Sequence, residues 1–336
     1  MTPLPVFNRK PGSAGIPKKR LLAILGTGVL VYLCMNAFLT DYDASACDWG
    51  KYDKSPACRQ ASKDALKIMA RDLEDVEDGL QKYEICKFKT FGSGFGGMYF
   101  VSIPTPHLTS NVLTLQPTPP NAAHDLCDHP PPKSKPCTFY SFGIDNDYSF
   151  DTALDESWQC NGILLDPTVN HSSTPGPRLN FFRIGATLLS SSDLGGSGST
   201  MRGTVASEWL TTSVPSLKKF LGHRKIDILK MDCEGCEYSL ARDIAREDPT
   251  FFKNVDQFAV EVHISKNWIK TSTHVHYLGL LYHMLQHYGF RLMHSEITPC
   301  HPSDEALGCP RELLDAGYKC GPYMMCHNYL FSKSSA

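Results

Sequence analysis

Short apolar runs alternate with helical patterns over residues 137–333, and this alternation constrains the fold more than any other feature of the chain. Seven runs have strand character, namely 137–144, 160–167, 179–189, 226–232, 255–264, 290–297 and 327–333. Helical patterns lie between most of them, at 149–159, 214–223, 237–247 and 274–289. Strands that alternate with helices form mostly parallel sheets with helices on both faces. The sequence therefore predicts an α/β fold with a doubly wound, mostly parallel seven-stranded sheet.

The N-terminal segment predicts a membrane anchor ahead of this fold. Residues 21–40 are uncharged and mostly apolar, and they follow a basic segment that ends in Lys18, Lys19 and Arg20. A helix of this length spans about 30 Å, the thickness of the hydrocarbon core of a bilayer. The positive flank stays in the cytosol, so we expect a type II single-pass protein whose body is luminal or extracellular. A cleaved secretory signal that ends near "ASA" is the alternative.

Composition indicates the compartment and excludes one class of partner. The formal net charge of −2 over 336 residues gives no general attraction to nucleic acid. Of 13 cysteines, Cys34 lies in the apolar segment, and the even number left over suits an oxidising lumen. Asn170, in "NHS", offers a glycosylation acceptor that would fit the same compartment.

An amphipathic helix is predicted in the segment after the anchor. Its apolar positions recur at spacings of three and four on a charged background, at Leu66, Met69, Leu73, Val76 and Leu80. This stripe is short for an independent coiled coil. We expect it to dock onto the following domain, with homodimerisation as the alternative.

Residues 104–136 are rich in proline, as in "QPTPP" and "DHPPPKSKP". Such composition predicts a linker or an extended surface segment with little regular structure. The chain is therefore divided into a cytosolic tail (1–20), an anchor (21–40), a luminal stem (41–136) and an α/β domain (137–336).

The carboxyl ends of the first two predicted strands indicate the kind of cofactor. Ligands of doubly wound sheets bind at these ends, and here the first strand is followed by Gly143, Asp145, Asn146 and Asp147. A pyrophosphate needs several glycines at this turn, whereas two carboxylates suit a ligand that carries an ammonium and a sulfonium. This pattern disfavours NAD and favours S-adenosylmethionine. Asp166 ends the second strand, where ribose hydroxyls are bound.

Four further polar residues follow the fourth and fifth strands. Asp232 and Glu234 are two positions apart, as are Glu261 and His263, so each pair shares a face if its strand extends that far. Neighbouring strands lie about 4.8 Å apart, which would let the four side chains converge. Three interpretations stay open: acid–base chemistry with substrate orientation, a divalent metal site, or a structural network.

The cysteine motif Cys233–x–x–Cys236 lies beside these carboxylates. A redox motif would sit at such a strand-to-helix turn, but adjacent acids raise thiol pKa values and disfavour the thiolate. A structural disulfide or two packed thiols fit better. A zinc site from Cys300, Cys309, Cys320 and Cys326 lacks the usual ligand spacing, so we expect two disulfides there instead.

The segment "IDILKMDCEGCEY" resembles the D-x-L-K-x-D-x-E-G-x-E signature of FkbM-type and related methyltransferase-like domains. "GIDNDYSFD", "LLDPT", "FRIGA" and "FAVEVH" are similar to their eukaryotic, membrane-anchored branch, over roughly residues 137–333. The resemblance implies a class I S-adenosylmethionine-dependent enzyme with a Rossmann-like sheet whose last strand is reversed. It also implies that Gly143 to Asp147 lie near the methionine moiety, Asp166 on the ribose and Asp232 near the reacting centre.

Because several FkbM-type members methylate sugar hydroxyls, the resemblance points to an O-methyltransferase of glycans or glycoproteins in the Golgi. His263 is the expected base, oriented by Glu261, with Asp232 and Glu234 positioning acceptor and cofactor. We expect no metal. A protein methyltransferase and a non-catalytic luminal scaffold of the same fold are the alternatives.

Overall fold

The computed structural model describes most of the chain from Cys47 onward, and within it one sheet dominates. The described residues are 47–49, 55–78, 86–92, 98–103, 112–117, 124–170, 175–190, 209–264, 269, 271–299, 310–318 and 325–333. The predicted anchor at 21–40 lies outside them. Among the residues that the structure does describe, no helix combines the length and apolarity needed to cross a bilayer.

The described secondary structure consists of strands and helices that follow each other along the chain. The strands are β1 (Phe88–Phe91), β2 (Met98–Ile103), β3 (Val112–Pro117), β4 (His124–Cys127), β5 (Thr138–Phe142), β6 (Asn161–Leu165), β7 (Leu179–Phe182), β8 (Gly185–Ala186), β9 (Thr211–Thr212), β10 (Ile226–Met231), β11 (Val255–Ile264), β12 (Phe290–Pro299) and β13 (Met325–Lys333). The α-helices are α1 (Pro56–Glu77), α2 (Ser149–Trp158), α3 (Val214–Phe220), α4 (Cys236–Glu247), α5 (Ser272–His287) and α6 (Arg311–Asp315), and a short 3-10 helix spans Phe251–Asn254.

Seven strands form the central sheet in the order β12-β13-β11-β10-β5-β6-β7. β13 runs antiparallel to both neighbours, β11 and β12, and the pairs from β11 through β10, β5 and β6 to β7 are parallel. The mostly parallel seven-stranded α/β sheet with a reversed last strand is therefore confirmed. Since strand order reverses between β5 and β10, the switch point of the sheet lies between these two strands.

The central strands are buried on both faces, which explains their nearly continuous apolar sequence. All six residues of β10 are buried. Leu229 and Met231 pack into the cluster formed with α4 and α5, while Ile228 faces a second cluster that includes Leu126 and Phe150. The central strands are thus held from both sides.

Helix α1 docks onto the domain through the predicted stripe. Ser55 caps its N-terminus by accepting from the Cys58 N–H at 3.4 Å, and Pro56 occupies the first turn. Leu66, Met69 and Leu73 are buried in the main core cluster, and α1 packs against α5. Docking is confirmed for this helix, whereas homodimerisation stays a prediction.

The expectation of little regular structure over 104–136 is wrong in part, because β3 and β4 lie there. β3 pairs with β2, and β4 pairs with β1, both antiparallel. Two long-range links fix β4: the Cys86–Cys127 disulfide and the Gln257 side chain. Its amide oxygen accepts from the Cys127 N–H at 2.8 Å, and its amide nitrogen donates to the Cys127 carbonyl at 3.2 Å. Such distant partners cannot be read from local composition.

The docking of α1 predicts a large difference between two substitutions on the same helix. Met69→Ala removes a side chain that is 2% exposed and should lower the free energy of unfolding by about 2–4 kcal/mol, because it leaves a cavity. Lys67→Ala, on the exposed face, should change it by less than about 0.5 kcal/mol. Urea denaturation of both variants measures the difference, and equal small effects would contradict the docking.

Candidate functional site

The loop after β5 approaches the end of β10 so closely that only glycine fits at its first position. Gly143 has φ +70°, and a Cβ there would overlap with the Asp232 carbonyl oxygen. The Asp232 N–H also donates to the Phe142 carbonyl at 3.0 Å. The predicted cofactor residue Gly143 therefore has a packing role that is independent of any ligand, namely joining the two central strand ends.

Asp166, at the end of β6, braces this loop from the other side. One carboxylate oxygen accepts from the N–H groups of Ile144 and Asp145 at 3.0 and 2.9 Å. The other accepts from the N–H and the hydroxyl of Thr168 at 2.8 and 2.6 Å. The side chain is 4% exposed. Asp166 thus shapes the predicted cofactor loop, and its ribose contact stays a prediction.

The next three predicted cofactor residues form the outer part of the same loop. Asp145 and Asn146 are exposed, and Asn146 donates to the Asp145 carboxylate at 3.0 Å. Asp147 accepts from the Ser149 N–H at 2.8 Å and so occupies the N-terminus of α2. A helix end that its own chain fills with a carboxylate repels a pyrophosphate. The carboxylates of this loop instead suit a cationic ligand such as S-adenosylmethionine.

The turn after β10 separates the two carboxylates that follow it. β10 ends at Met231, and Glu234 and Gly235 have φ of +49° and +111°. The strand therefore does not extend to Glu234, and the condition for a shared face with Asp232 fails. Glu234 is exposed. The turn leads into α4, whose first residues bring in a different carboxylate.

That carboxylate is Glu237, which is fully buried and holds His263 at the end of β11. One Glu237 oxygen accepts from the backbone N–H of His263 at 3.0 Å and lies 3.2 Å from its Nδ1. The other accepts from the Gly235 N–H at 2.9 Å. Glu237 thereby connects the turn after β10 to the tip of β11.

His263 is held in the protonated state by these neighbours. Burial alone lowers the pKa of an imidazole, but the charge and hydrogen bond of Glu237, with further help from Glu261 and Asp232, raise the pKa of His263 to about 10. A protonated imidazole has no lone pair with which to accept a proton. The geometry therefore favours His263 as a fixed cation over the base role that the sequence suggested.

Asp232 and Glu261 form a carboxyl–carboxylate pair beside this cation. Their side chains are hydrogen-bonded to each other and are 22% and 16% exposed. Burial and the negative charge of Asp232 raise the pKa of Glu261 well above its ordinary value. Burial opposes ionisation of Asp232 too, but Lys230 and the hydrogen bond from Glu261 lower its pKa to about 2. Because two carboxyl groups can form a hydrogen bond with each other only through a proton, the hydrogen-bonded pair holds one proton in common.

Lys230 supplies a second buried positive charge beneath the pair. Its Nζ donates to the Gly143 carbonyl at 2.5 Å and lies 3.7 Å from the Asp232 carboxylate. The lysine thus ties the glycine loop to the acid at the tip of β10. Since the ammonium is 5% exposed, its attraction for Asp232 is weakly screened by water.

The cysteines near the site are disulfide-bonded. Cys233 pairs with Cys236 within the turn after β10, and Cys47–Cys58 and Cys137–Cys160 are further pairs. A disulfide is the state of a structural pair and of an oxidised redox motif alike, so the structural interpretation of the Cys233–x–x–Cys236 motif stays a prediction. Cys326 is also disulfide-bonded, while Cys300, Cys309 and Cys320 lie outside the described residues.

A metal site was one interpretation of the strand-tip residues, and one cluster has suitable ligand types. Atoms of Glu261, His263 and Cys326 lie within 4.8 Å of one another. However, Cys326 is disulfide-bonded and has no thiolate to offer, which leaves two ligand side chains in the cluster. This cluster is therefore poorly suited to a cation.

Of the four predicted catalytic residues, the structure brings together Asp232, Glu261 and His263 and leaves Glu234 outside. Sequence reasoning missed Lys230 and Glu237. Lys230 carried a usable signal, because a lysine within a mostly apolar, buried strand needs a buried partner. Glu237 carried a weaker one, since its position became meaningful only once the turn after β10 was known.

A mostly parallel seven-stranded α/β sheet in this strand order, with acidic side chains where its central strands end, defines the class as a Rossmann-like fold. The comparisons narrow this class: the family model described as "Methyltransferase domain" matches residues 114–306, more than half of the chain. The protein belongs to this methyltransferase-domain family. Comparison with curated proteins and with solved structures gave no match.

The approach of Gly143 to Asp232 predicts unequal costs for two glycine substitutions. Gly222 has φ +71°, like Gly143, but open space where its Cβ would lie. Gly222→Ala should therefore cost only about 1 kcal/mol of unfolding free energy, the penalty of a left-handed alanine. Gly143→Ala should cost at least twice as much, because the backbone must move. Equal losses in urea denaturation would show that the overlap is relieved without strain.

The charge on His263 predicts a specific dependence of stability on pH. A pKa raised from 6.5 to about 10 stabilises the folded state fully below pH 6.5, and this contribution is lost as the pH rises through 10. Glu237→Gln should lower the unfolding free energy by about 3 kcal/mol below pH 6.5. It should also reduce the further loss of unfolding free energy that the wild type shows as the pH rises above 6.5. Urea denaturation across this range tests both, with Glu156→Gln on the exposed face of α2 as the control. An unchanged slope in Glu237→Gln would contradict the assignment.

Proposed function

We propose that this protein is an S-adenosylmethionine-dependent O-methyltransferase that acts on a sugar hydroxyl of glycans or glycoproteins in the secretory pathway. One observation carries the proposal: the partly exposed, hydrogen-bonded carboxyl pair of Asp232, directly after β10, and Glu261 on the neighbouring strand β11. Membership of the methyltransferase-domain family supports the reaction class.

The proposed cofactor fits the loop between β5 and α2. Asp145 and Asn146, the exposed polar residues of this loop, would hold the cationic part of S-adenosylmethionine, while Asp166 and Asp147 keep the loop in place. Gly143 would set the depth of the site by joining it to Asp232. When bound, S-adenosylmethionine supplies an electrophilic methyl group carried on a sulfonium.

The Asp232–Glu261 pair is the proposed base for the acceptor hydroxyl. Both side chains are partly exposed, so an acceptor oxygen can approach them. While the pair holds its shared proton, it is a weak base. Once that proton has left, the pair is a stronger base, because the pKa of Glu261 is raised well above its ordinary value. Lys230 and His263 stay positive and stabilise the negative charge that remains when the shared proton leaves.

The proposed acceptor and compartment rest on the family resemblance, the N-terminal sequence and the disulfides. A carboxylate base suits a hydroxyl acceptor, and the FkbM-type resemblance favours a sugar over a protein side chain. The uncharged segment 21–40 and the disulfides within the described residues favour a type II protein of the Golgi membrane with a luminal catalytic domain. Homodimerisation through residues of the stem belongs to the same proposal.

A non-catalytic scaffold is the second candidate, and one observation favours it. Gly143 and Asp166, two residues that would contact a cofactor, are already occupied by the protein's own backbone. A domain that keeps these contacts for folding alone would retain the sheet without binding S-adenosylmethionine. Cofactor binding separates the two candidates.

The proposal predicts methyl transfer from labelled S-adenosylmethionine to released glycans by the purified protein. Glu261→Gln and Asp232→Asn should lower kcat by about 100-fold or more, the typical contribution of a general base. The wild-type rate should rise with pH as the shared proton leaves, and Glu261→Gln should remove that ionisation. Glu156→Gln should keep both rate and profile.

Two results would contradict this proposal in different ways. Full activity of Glu261→Gln and Asp232→Asn with an unchanged pH profile would refute the assigned base. Absence of transfer to any glycan, together with unchanged glycan masses in cells that lack the protein, would refute the sugar hydroxyl as acceptor.

A further inference from the structure

The ribbon formed by β1 (Phe88–Phe91) and β4 (His124–Cys127) lies outside the central sheet and covers part of it. β4 packs against β11 and β13, the half of the sheet beyond the proposed cofactor loop. It is fixed by the Cys86–Cys127 disulfide and the Gln257 amide. At its other end, Asp125 accepts from the Thr90 hydroxyl at 2.6 Å and lies 3.3 Å from His294.

Two contacts show that β4 runs backward along the chain toward the strand tips. Cys127 is hydrogen-bonded to Gln257, near the beginning of β11. Asp125 lies 3.3 Å from His294, which is in the same row of the sheet as Ala259, and His124 precedes it on β4. Three extended residues span about 10 Å, which is most of the way from Gln257 toward Glu261. In agreement, the charges of Lys230 and Asp232 act on the His124 imidazole. His124 is therefore a neighbour of the Asp232–Glu261 pair from outside the sheet.

His124 is buried but incompletely bonded. Its side chain is 4% exposed, and its ring makes an edge contact with Phe150 at 5.5 Å between centroids. Its Nε2 has no hydrogen-bond partner within the part of the chain that the structure describes. Leaving a buried polar atom unsatisfied costs stability, so such atoms call for an explanation.

The charge state of His124 indicates what kind of partner it suits. Burial, reinforced by the positive charge of Lys230, lowers the pKa of His124 to about 3. The imidazole is therefore neutral at physiological pH, unlike that of His263. A neutral imidazole forms a hydrogen bond with an uncharged hydroxyl without the desolvation penalty of an ion.

We propose that His124 is an acceptor-binding residue, whose Nε2 makes a hydrogen bond to a hydroxyl of the methyl acceptor beside the Asp232–Glu261 pair. This inference rests on the proposed function and adds to it a contact from outside the central sheet. The hydrogen bond exists in the Michaelis complex and in the transition state alike. Losing it should therefore weaken acceptor binding and leave the chemical step intact.

The test uses the full chain and methyl glycosides of the common monosaccharides as acceptor probes, with the best acceptor of the wild type carried forward. In His124→Leu, the KM for that acceptor should rise on the order of tenfold, with kcat near the wild-type value. His124→Gln keeps an amide that can form the bond and should recover most of the loss. His129→Leu is the matched control, since His129 is exposed on the same segment.

Two further measurements separate binding from a structural role. The melting temperature of His124→Leu should stay at or above that of the wild type, because an unsatisfied buried polar atom has been removed. Its dissociation constant for S-adenosylmethionine, measured by calorimetry, should be unchanged, since His124 lies on the acceptor half of the sheet.

Three outcomes would overturn the inference. An unchanged acceptor KM in His124→Leu with an active wild type would refute it and leave the proposed function standing. A large fall in melting temperature in both His124→Leu and His124→Gln would assign His124 a structural role. A wild type inactive on every acceptor would overturn the proposed function, and the inference with it.

Discussion

Two carboxylates at adjacent strand tips cannot both be ionised at low cost, and the rest of the site is organised around this constraint. Asp232 and Glu261 share one proton because like charges in a poorly solvated site repel strongly. The surrounding charges complete the balance: Lys230 lies 3.7 Å from Asp232, and the protonated His263 lies 3.6 Å from Glu261. Glu237 in turn neutralises His263. Removing any one of these groups would shift the protonation of the others.

The sheet topology creates this arrangement before any chemistry is considered. β10 is paired in parallel with β5 on one side and with β11 on the other, so three strand tips meet at one edge. Gly143 allows the first loop to reach the end of β10, and the Lys230 ammonium fastens the two together through the Gly143 carbonyl. The packing of the loop and the electrostatics of the acids therefore depend on the same few contacts.

The sequence predicted the frame of the protein better than the details of its site. The buried strands were recognisable from continuous apolar runs, and β11 was predicted at 255–264, the range that the structure has. The short ribbon strand β4 was missed, because its stability comes from Gln257 and Cys86, which are distant in sequence. Glu234 was misplaced, because the left-handed turn after Met231 ends the strand earlier than its polar pattern suggested.

The roles of individual side chains were harder to predict than their positions. Asp232, Glu261 and His263 were expected to converge and do so, but the protonation of His263 depends on Glu237, which enters from the first turn of α4. His124 gave no signal in a proline-rich segment. Protonation states are properties of the assembled site, and they follow from burial and neighbours that only the fold brings together.

The central claim is that this edge of the sheet binds S-adenosylmethionine, and calorimetric titration of the purified protein with this compound tests it most directly. The account predicts saturable binding well below millimolar concentration. It also predicts weaker binding of Asp145→Asn, because one carboxylate facing the cationic ligand is lost. Absence of binding up to millimolar S-adenosylmethionine would contradict the account and favour a scaffold that has kept only the fold.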